Sequence, residues 1–218
     1  MRDDFVRAAQ RAMRLGFHAV ELHMAHGYLM HEFLSPVSNR RGDDYDSSFD
    51  GRVRFPLEVF DAVRAAVPDA TPVGARVSAN DWPPDEDSWT LEQTIEFAHR
   101  LKARGHDWID VSSGGISPRQ KIALGPGYQV PFARAIRAAT GLTAIAVGLI
   151  TDLKQAEAIV ADGDADMVAL ARAMLFDARW PWRAAAALGG TVAAPWQYWR
   201  SLPREAGRIF GETAFGQR

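Results

Sequence analysis

Two histidines and a tyrosine stand within six residues of one another in this sequence. His23, His26 and Tyr28 follow residues 19–22, a largely apolar segment with the pattern of a short strand. If the backbone turns after that strand, two imidazoles can face one point and stabilise an oxygen that gains negative charge, while the tyrosine delivers a proton. The same spacing is compatible with a metal pair or with a surface cluster of histidines. A metal site would need a further ligand such as a carboxylate, so the residues alone leave these interpretations open.

A single arginine closes a second predicted strand. Arg76 stands between Val73 and Val77, where an unpaired buried charge would be costly. We therefore expect its guanidinium to meet an anion or an electron-rich ring. A salt bridge to a carboxylate on a neighbouring strand, either Asp110 or Glu21, is an equal alternative.

Small and basic residues follow the last two predicted strands. Gly148 comes after one of them, and Ala171 and Arg172 come after the other. In many barrels this corner binds phosphate through backbone N–H groups and sometimes an arginine, and a glycine lets the backbone approach closely. Ser112 and Ser113 follow an earlier strand and can add hydroxyl and amide donors. Together these residues predict a site for a phosphate-bearing cofactor.

The elements that carry these residues recur as a helix, a short turn and a short apolar strand. The pattern predicts helices over 5–15, 53–67, 90–104, 131–140 and 152–161, and strands over 19–23, 72–77, 108–111, 143–147 and 167–170. Thr90 is expected to cap the third helix. Short strands that are nearly all apolar indicate a parallel sheet covered by helices.

Two α/β architectures fit such a sheet: a (β/α)8 TIM barrel and a doubly wound open sheet. No G-x-G-x-x-G follows a strand, and polar residues gather where the strands end, which favours the barrel. A complete barrel needs eight strands and about 250 residues. The 218 residues contain five predicted β/α units. We therefore predict an incomplete barrel, the C-terminal part of a TIM barrel, as a single domain over residues 1–218.

An incomplete barrel would leave two strand edges and an apolar interior exposed. We therefore expect self-association or pairing with a complementary N-terminal fragment. The composition excludes other partners: the net charge is −2, which creates no strong field for nucleic acid or a membrane. The sequence has no cysteine, no apolar run long enough for a membrane span and no apolar core of a signal peptide near Met1. These features favour a cytoplasmic protein without disulfides or thiolate chemistry.

The segment from His23 to Arg41 has the pattern H-x-x-H-G-Y-L-x-x-x-F-L-S-P-x-S-N-x-R. It resembles the signature loop of the Old Yellow Enzyme family of flavoproteins. The resemblance continues through residues 77–79, 110–114, 126–130, 146–150 and 197–200, and so covers nearly the whole chain. The form with two histidines is similar to the branch of bacterial xenobiotic reductases and thermophilic-type ene-reductases.

This resemblance implies an FMN-dependent oxidoreductase that takes electrons from NADPH or NADH. Such an ene-reductase reduces the C=C bond of an α,β-unsaturated carbonyl compound. It also implies that His23 and His26 hold the carbonyl oxygen and that Tyr28 protonates the α-carbon.

The resemblance implies roles for the other candidate residues too. Arg76 would lie near the pyrimidine edge of the flavin, and Arg200 would reach into the site of a neighbouring subunit. The tail over residues 176–218 would then lie at a subunit interface. The FMN phosphate would be held at Ser112, Ser113, Gly148, Ala171 and Arg172.

The sequence departs from the family pattern in three places. Residues 46–52 read Asp-Ser-Ser-Phe-Asp-Gly-Arg where the family has G-G-S-x-E-N-R, and Ala171 replaces a common glycine, where its methyl would crowd the phosphate. The first three strands, which contribute flavin contacts in the family, are absent. Three hypotheses remain: a fragment active with its N-terminal part, a half-barrel that binds FMN or phosphate weakly without turnover, and a non-catalytic association module.

Overall fold

The structure is a computed structural model and describes residues 1–82, 87–202 and 209–210. The strands are β1 (Val20–Met24), β2 (Val73–Ser78), β3 (Trp108–Ser112), β4 (Thr143–Ala146) and β5 (Met167–Val168). The helices are α1 (Arg2–Arg14), α2 (Leu29–Leu34), α3 (Phe49–Ala66), α4 (Leu91–Lys102), α5 (Val130–Thr140), α6 (Leu153–Ala161), α7 (Arg172–Phe176) and α8 (Trp180–Leu188). A 3-10 helix covers Trp196–Ser201.

The five strands form one parallel sheet in the order β1-β2-β3-β4-β5. Strand order that follows the chain is the order of a barrel, whereas a doubly wound sheet reverses its order at a switch point. The prediction of an incomplete (β/α)8 barrel is therefore confirmed, with five of its strands present. Within the described residues, none of the helices combines the length and apolar character needed to cross a membrane.

Side chains alternate between the two faces of the sheet. The face toward the helices carries the core, where Met24, Val77 and Ile109 are buried among helix residues such as Phe60 and Phe97. Caps fix where the helices start: the Ser48 hydroxyl accepts the Gly51 N–H at 3.1 Å, so α3 begins earlier than predicted. The predicted cap of α4 is confirmed, because Thr90 Oγ1 accepts the Gln93 N–H.

The opposite face, here called the inner face, would line the barrel. It was expected to be apolar, and over β1 to β3 this expectation is wrong. The inner face carries Glu21, His23, Arg76, Trp108 and Asp110. Only toward β5 does it become apolar, with the partly buried Ile145 and the exposed Met167.

One contact on the inner face depends on Gly74, which has no side chain. The indole of Trp108 crosses β2 at Gly74 and donates its Nε1–H to Glu21 Oε2 at 2.9 Å. A Cβ at Gly74 would lie 2.1 Å from the Trp108 ring. The glycine therefore permits a hydrogen bond between two strands that are not neighbours, which ties β1 to β3 across the inner face.

On the helix side, His106 is buried in front of β3 against Phe60, with ring centroids 5.3 Å apart. Neither ring nitrogen has a hydrogen-bond partner in the described part of the chain. Burial lowers the pKa of His106 from 6.5 to about 4. An imidazole without a partner is tolerated there in its neutral form, and the charged form is disfavoured.

The His106→Leu substitution should reduce the loss of stability in acid. Below pH 6.5 the unfolded chain takes up a proton that the folded chain refuses until about pH 4, so the wild type loses stability as the pH falls through that window. The full loss is about 3 kcal/mol. Urea unfolding at several pH values should show the advantage of the variant growing from pH 6.5 to pH 4. His99→Leu on the exposed face of α4 is the control, and an equal slope in both variants would contradict the assignment.

Candidate active site

The loop after β1 turns sharply and carries the candidate catalytic residues. His26 and Gly27 both adopt left-handed backbone conformations, with φ of 59° and 74°. Gly27 is required, because a Cβ there would lie 2.3 Å from the carbonyl oxygen of Gly115. The His26 N–H donates to Ser78 Oγ at 3.0 Å, which fixes the turn to the end of β2.

The structure brings the three predicted residues into one cluster. The ring centroids of His23 and His26 lie 5.2 Å apart, and those of His23 and Tyr28 lie 5.4 Å apart. Tyr28 is 65% exposed, so its ring projects from the protein beside the two imidazoles. Over the described residues, no group of three His, Cys, Asp or Glu side chains is placed to hold a metal ion. The three side chains are therefore close enough to act on one bound molecule.

Both imidazoles are poor proton acceptors in this environment. Burial, and then the positive charge of Arg76, lower the pKa of His26 to about 4. The same two causes lower the pKa of His23. At pH 7, roughly one His26 side chain in a thousand carries a charge. A neutral imidazole keeps one N–H to donate, which suits a carbonyl or enolate oxygen without a fixed positive charge.

Arg76 lies in register with His23 on one side and Asp110 on the other. Its Nε and Nη2 donate to Ser112 Oγ at 3.0 and 2.8 Å, and its Nε lies 3.5 Å from Asp110 Oδ2. The ion pair with Asp110, one of the two alternatives for Arg76, is therefore present. Among the described residues, no ion pair joins Arg76 to Glu21, whose carboxylate accepts from Trp108.

The ion pair with Arg76 does not fully offset the cost of burying the Asp110 carboxylate. Burial raises the pKa of Asp110 to about 6, and the attraction of Arg76 offsets only part of this increase. Its Oδ1 is buried and has no partner within residues 1–82, 87–202 and 209–210. The desolvation cost therefore outweighs the ion pair, whose separation of 3.5 Å is long for a charge-assisted hydrogen bond.

A cleft of about 400 Å³ opens at the strand ends, beside this cluster. A volume of that order is typical of small-molecule sites. Six predicted cofactor residues and one predicted substrate residue line it: Arg76, Ser112, Ser113, Gly148, Ala171, Arg172 and His26. His23 and Tyr28 are not among the described residues that line the cleft; they lie next to it in the loop.

The turn at Gly148 is braced by Gln129, whose role was not predicted. Gln129 accepts from Ser113 Oγ at 2.7 Å and donates to the Val147 carbonyl at 3.1 Å. Gly148 has φ of 123°, and a Cβ there would lie 2.9 Å from Gln129 Nε2. Gln129 belongs to a segment that carried the family resemblance, but sequence spacing does not show which strand ends it joins.

The residues present fit a ligand that carries a phosphate. Two arginines, Arg76 and Arg172, line the cleft, and so does Gly148. Ala171 has φ of −104°, which an alanine adopts without strain. The serine hydroxyls are already engaged: Ser112 accepts from Arg76, and Ser113 donates to Gln129. Ser112 therefore keeps its own O–H to donate to a phosphate, whereas Ser113, whose O–H is donated to Gln129, could donate only through its backbone N–H.

Arg200 is not brought into this cluster. It lies exposed in the 3-10 helix and is not among the described residues that line the cleft. This helix packs on α8 through Trp182 and Tyr198, with ring centroids 5.6 Å apart, and Arg179 lies over both rings. Much of the predicted interface tail, residues 203–208 and 211–218, lies outside the described residues. The roles of Arg200 and of the tail stay predictions.

Comparison with known proteins identifies relatives of this chain. The profile of the "NADH:flavin oxidoreductase / NADH oxidase family" matches residues 1–189. The chain is 48% identical over 196 residues to an NADPH dehydrogenase of Geobacillus sp. (strain WCH70), covering 90% of the chain and 56% of the relative. The chain thus spans about half the length of the curated relatives that it matches.

Solved structures give the same picture. A morphinone reductase matches with a TM-score of 0.69 and 30% identity, over 89% of this chain and 50% of that one. A 2-naphthoyl-CoA reductase in complex with 2-naphthoyl-CoA matches with a TM-score of 0.77 and 26% identity, over 84% of this chain and 28% of that one. The resemblance drawn from the sequence is confirmed.

Replacing Arg76 by methionine should raise the pKa of His26. The charge of Arg76 is the second cause of the low value, after burial, so the pKa should rise above about 4 and stay below 6.5. A pH titration of the imidazole resonances by NMR measures this shift. Arg76→Lys keeps a positive charge and should leave the pKa of His26 near about 4. An unchanged value in Arg76→Met would show that the charge does not act on His26.

Proposed function

Because this chain belongs to the NADH:flavin oxidoreductase / NADH oxidase family, we propose that it forms the substrate and phosphate-binding part of an FMN-dependent NAD(P)H oxidoreductase. The proposed reaction is reduction of the C=C bond of an α,β-unsaturated carbonyl compound. The observation that carries the proposal is the cluster of His23, His26 and Tyr28 beside a cleft with two arginines. FMN, when bound and reduced by NADPH or NADH, supplies the hydride.

In this proposal the two imidazoles bind the carbonyl oxygen of the substrate. Their lowered pKa values keep His23 and His26 neutral, and each has one N–H to donate. The hydrogen bonds strengthen as the oxygen becomes enolate-like, so they stabilise the transition state more than the substrate. The exposed hydroxyl of Tyr28 then gives a proton to the α-carbon and recovers it from water.

The cofactor would be held along the cleft. Arg172 and the backbone at Gly148 fit the phosphate, while Arg76 offers a positive charge closer to the imidazoles. Ser112 and Gln129 act through neighbours in this proposal, because Ser112 orients Arg76 and Gln129 supports Gly148. The physiological partner is then a small enone-type molecule.

A second candidate function rests on the two edges of the described sheet. The chain covers 56% of its curated relative, and β1 and β5 are each paired on one side only in the described sheet. On its own it would then be a half-barrel that binds FMN or phosphate weakly without turnover. If the chain is instead an association module without catalysis, the edges at β1 and β5 would serve only to pair with another chain.

The visible spectrum during titration with FMN separates these candidates. The proposed function expects bound flavin, reduction by NADPH and reoxidation by cyclohexenone, with the chain alone or after adding the N-terminal segment of a full-length relative. Arg172→Ala should weaken FMN binding about tenfold, because it removes a charge-assisted contact. Arg134→Ala is the control, since Arg134 pairs with Asp164 away from the cleft. A protein indifferent to flavin in both arms would leave only the association module.

The Tyr28→Phe substitution should slow reoxidation of the flavin by cyclohexenone about a hundredfold or more, because the proton donor is lost. Flavin reduction by NADPH should be nearly unchanged. Stopped-flow measurement of the two half-reactions tests this split. Tyr45→Phe serves as the control, since the Tyr45 hydroxyl donates to Glu58 outside the cleft. Equal slowing of both half-reactions would argue against a proton-donor role.

A further inference from the structure

A buried histidine–carboxylate pair lies beneath the loop that carries the candidate catalytic residues. His31 is in α2 and Asp81 follows β2, and both side chains are 0% exposed. His31 Nε2 and Asp81 Oδ1 are 2.8 Å apart. The proposed reaction assigns no role to either residue. Burying such a pair is costly unless each of its hydrogen bonds is made.

The other nitrogen of His31 contacts the catalytic loop itself. The N–H of Gly27 donates to His31 Nδ1 at 2.9 Å. A backbone amide can only donate, so Nδ1 must be the unprotonated nitrogen, and the proton must sit on Nε2, where it is donated to Asp81. The pair therefore holds His31 in a single neutral tautomer with its acceptor nitrogen toward Gly27.

Asp81 is fixed in turn by donors on its second oxygen. Asp81 Oδ2 accepts from Ser35 Oγ at 2.5 Å and from the backbone N–H of Trp89 at 2.9 Å. Counting His31, three donors converge on this carboxylate. A carboxylate can only accept, so both oxygens of Asp81 take donors. His31 must therefore donate from Nε2, which leaves Nδ1 to accept from the Gly27 N–H.

We propose that Asp81 and His31 are positioning residues that hold His26 and Tyr28 in place by fixing the tautomer of His31. Gly27 stands between the two functional side chains, and its left-handed conformation, with that of His26, needs such support. The amides of both residues are held by side chains, His26 by Ser78 and Gly27 by His31. The effect on catalysis rests on the proposed function, whereas the tautomer of His31 and its hydrogen bond with Gly27 do not.

The Asp81→Asn substitution tests this series of hydrogen bonds, because it exchanges an acceptor for a donor with almost no change in side-chain shape. The N–H of Trp89 is a fixed donor, so the asparagine oxygen must take the Oδ2 position and its NH2 group must face His31. That NH2 group donates to Nε2, which moves the imidazole proton to Nδ1. Two donors, Nδ1–H and the Gly27 N–H, then face each other, and the loop loses its anchor.

Nitrogen-15 NMR of the imidazoles in the 218-residue chain reads the tautomer directly. The wild type should show His31 with an unprotonated Nδ1 and a protonated Nε2, and Asp81→Asn should show the reverse. Hydrogen exchange of the Gly27 amide should become at least about tenfold faster in the variant, as expected for a lost hydrogen bond. A wild-type His31 protonated at Nδ1 would overturn the proposal without any variant, and so would unchanged Gly27 exchange in a variant whose tautomer has switched.

Ser35→Ala is the matched control. It removes one of the donors to Asp81 from the same buried neighbourhood but leaves the contacts of His31 with Asp81 and with Gly27. It should therefore keep the wild-type tautomer and Gly27 protection, even if it unfolds more easily. A switched tautomer in this variant would show that general loosening, and not the acceptor chemistry of Asp81, sets the state of His31.

The same variants measured with FMN, NADPH and cyclohexenone separate this inference from the proposed function. Asp81→Asn should lower kcat/KM about tenfold to a hundredfold, and Ser35→Ala much less, since displacement of reacting groups by about 1 Å has effects of this size. If the wild type shows no turnover in any arm, the proposed function fails, while the NMR results still decide the positioning role. Full activity in Asp81→Asn together with a switched tautomer would reject the positioning role alone.

Discussion

The candidate site depends on one close contact between two loops. The turn after β1 and the turn after β3 meet backbone against backbone at Gly27 and Gly115. A Cβ on Gly27 would lie 2.3 Å from the Gly115 oxygen, and a Cβ on Gly115 would lie 2.5 Å from the His26 Cα. Ser78, at the end of β2 between them, accepts from the His26 N–H and donates to the Gly114 carbonyl. These contacts hold the ends of three consecutive strands together and place His26 at the lining of the cleft.

Sequence patterns predicted the parts of the site that are local in the chain. His23, His26 and Tyr28 stand within one turn, so their convergence followed from a strand and a bend. The barrel architecture followed from the polar residues at the strand ends, and the cap at Thr90 followed from capping chemistry. The roles of the cluster remain predictions, because geometry shows which groups meet and not which reaction they perform.

What depended on strand register could not be predicted from spacing. Whether Arg76 pairs with Glu21 or Asp110 was left open, because the choice depends on a tryptophan indole crossing above Gly74. The inner face was expected to be apolar because barrel interiors usually are, although the alternation of Glu21 with His23 already indicated otherwise. The partnership of His31 with Asp81 spans 50 residues and was missed, since neither residue has a local signature.

The site also divides along the chain. The groups that hold His23, His26 and Tyr28 in place, from Ser78 and Asp81 to Gly115, are supplied by the first three β/α units, whereas the corner at Gly148 and Arg172 comes from the last two. The side chain of Gln129 joins the two groups, because it accepts from Ser113 and donates to the Val147 carbonyl. Recombination between relatives could therefore exchange the loop that carries His23, His26 and Tyr28 while keeping the corner at Gly148 and Arg172.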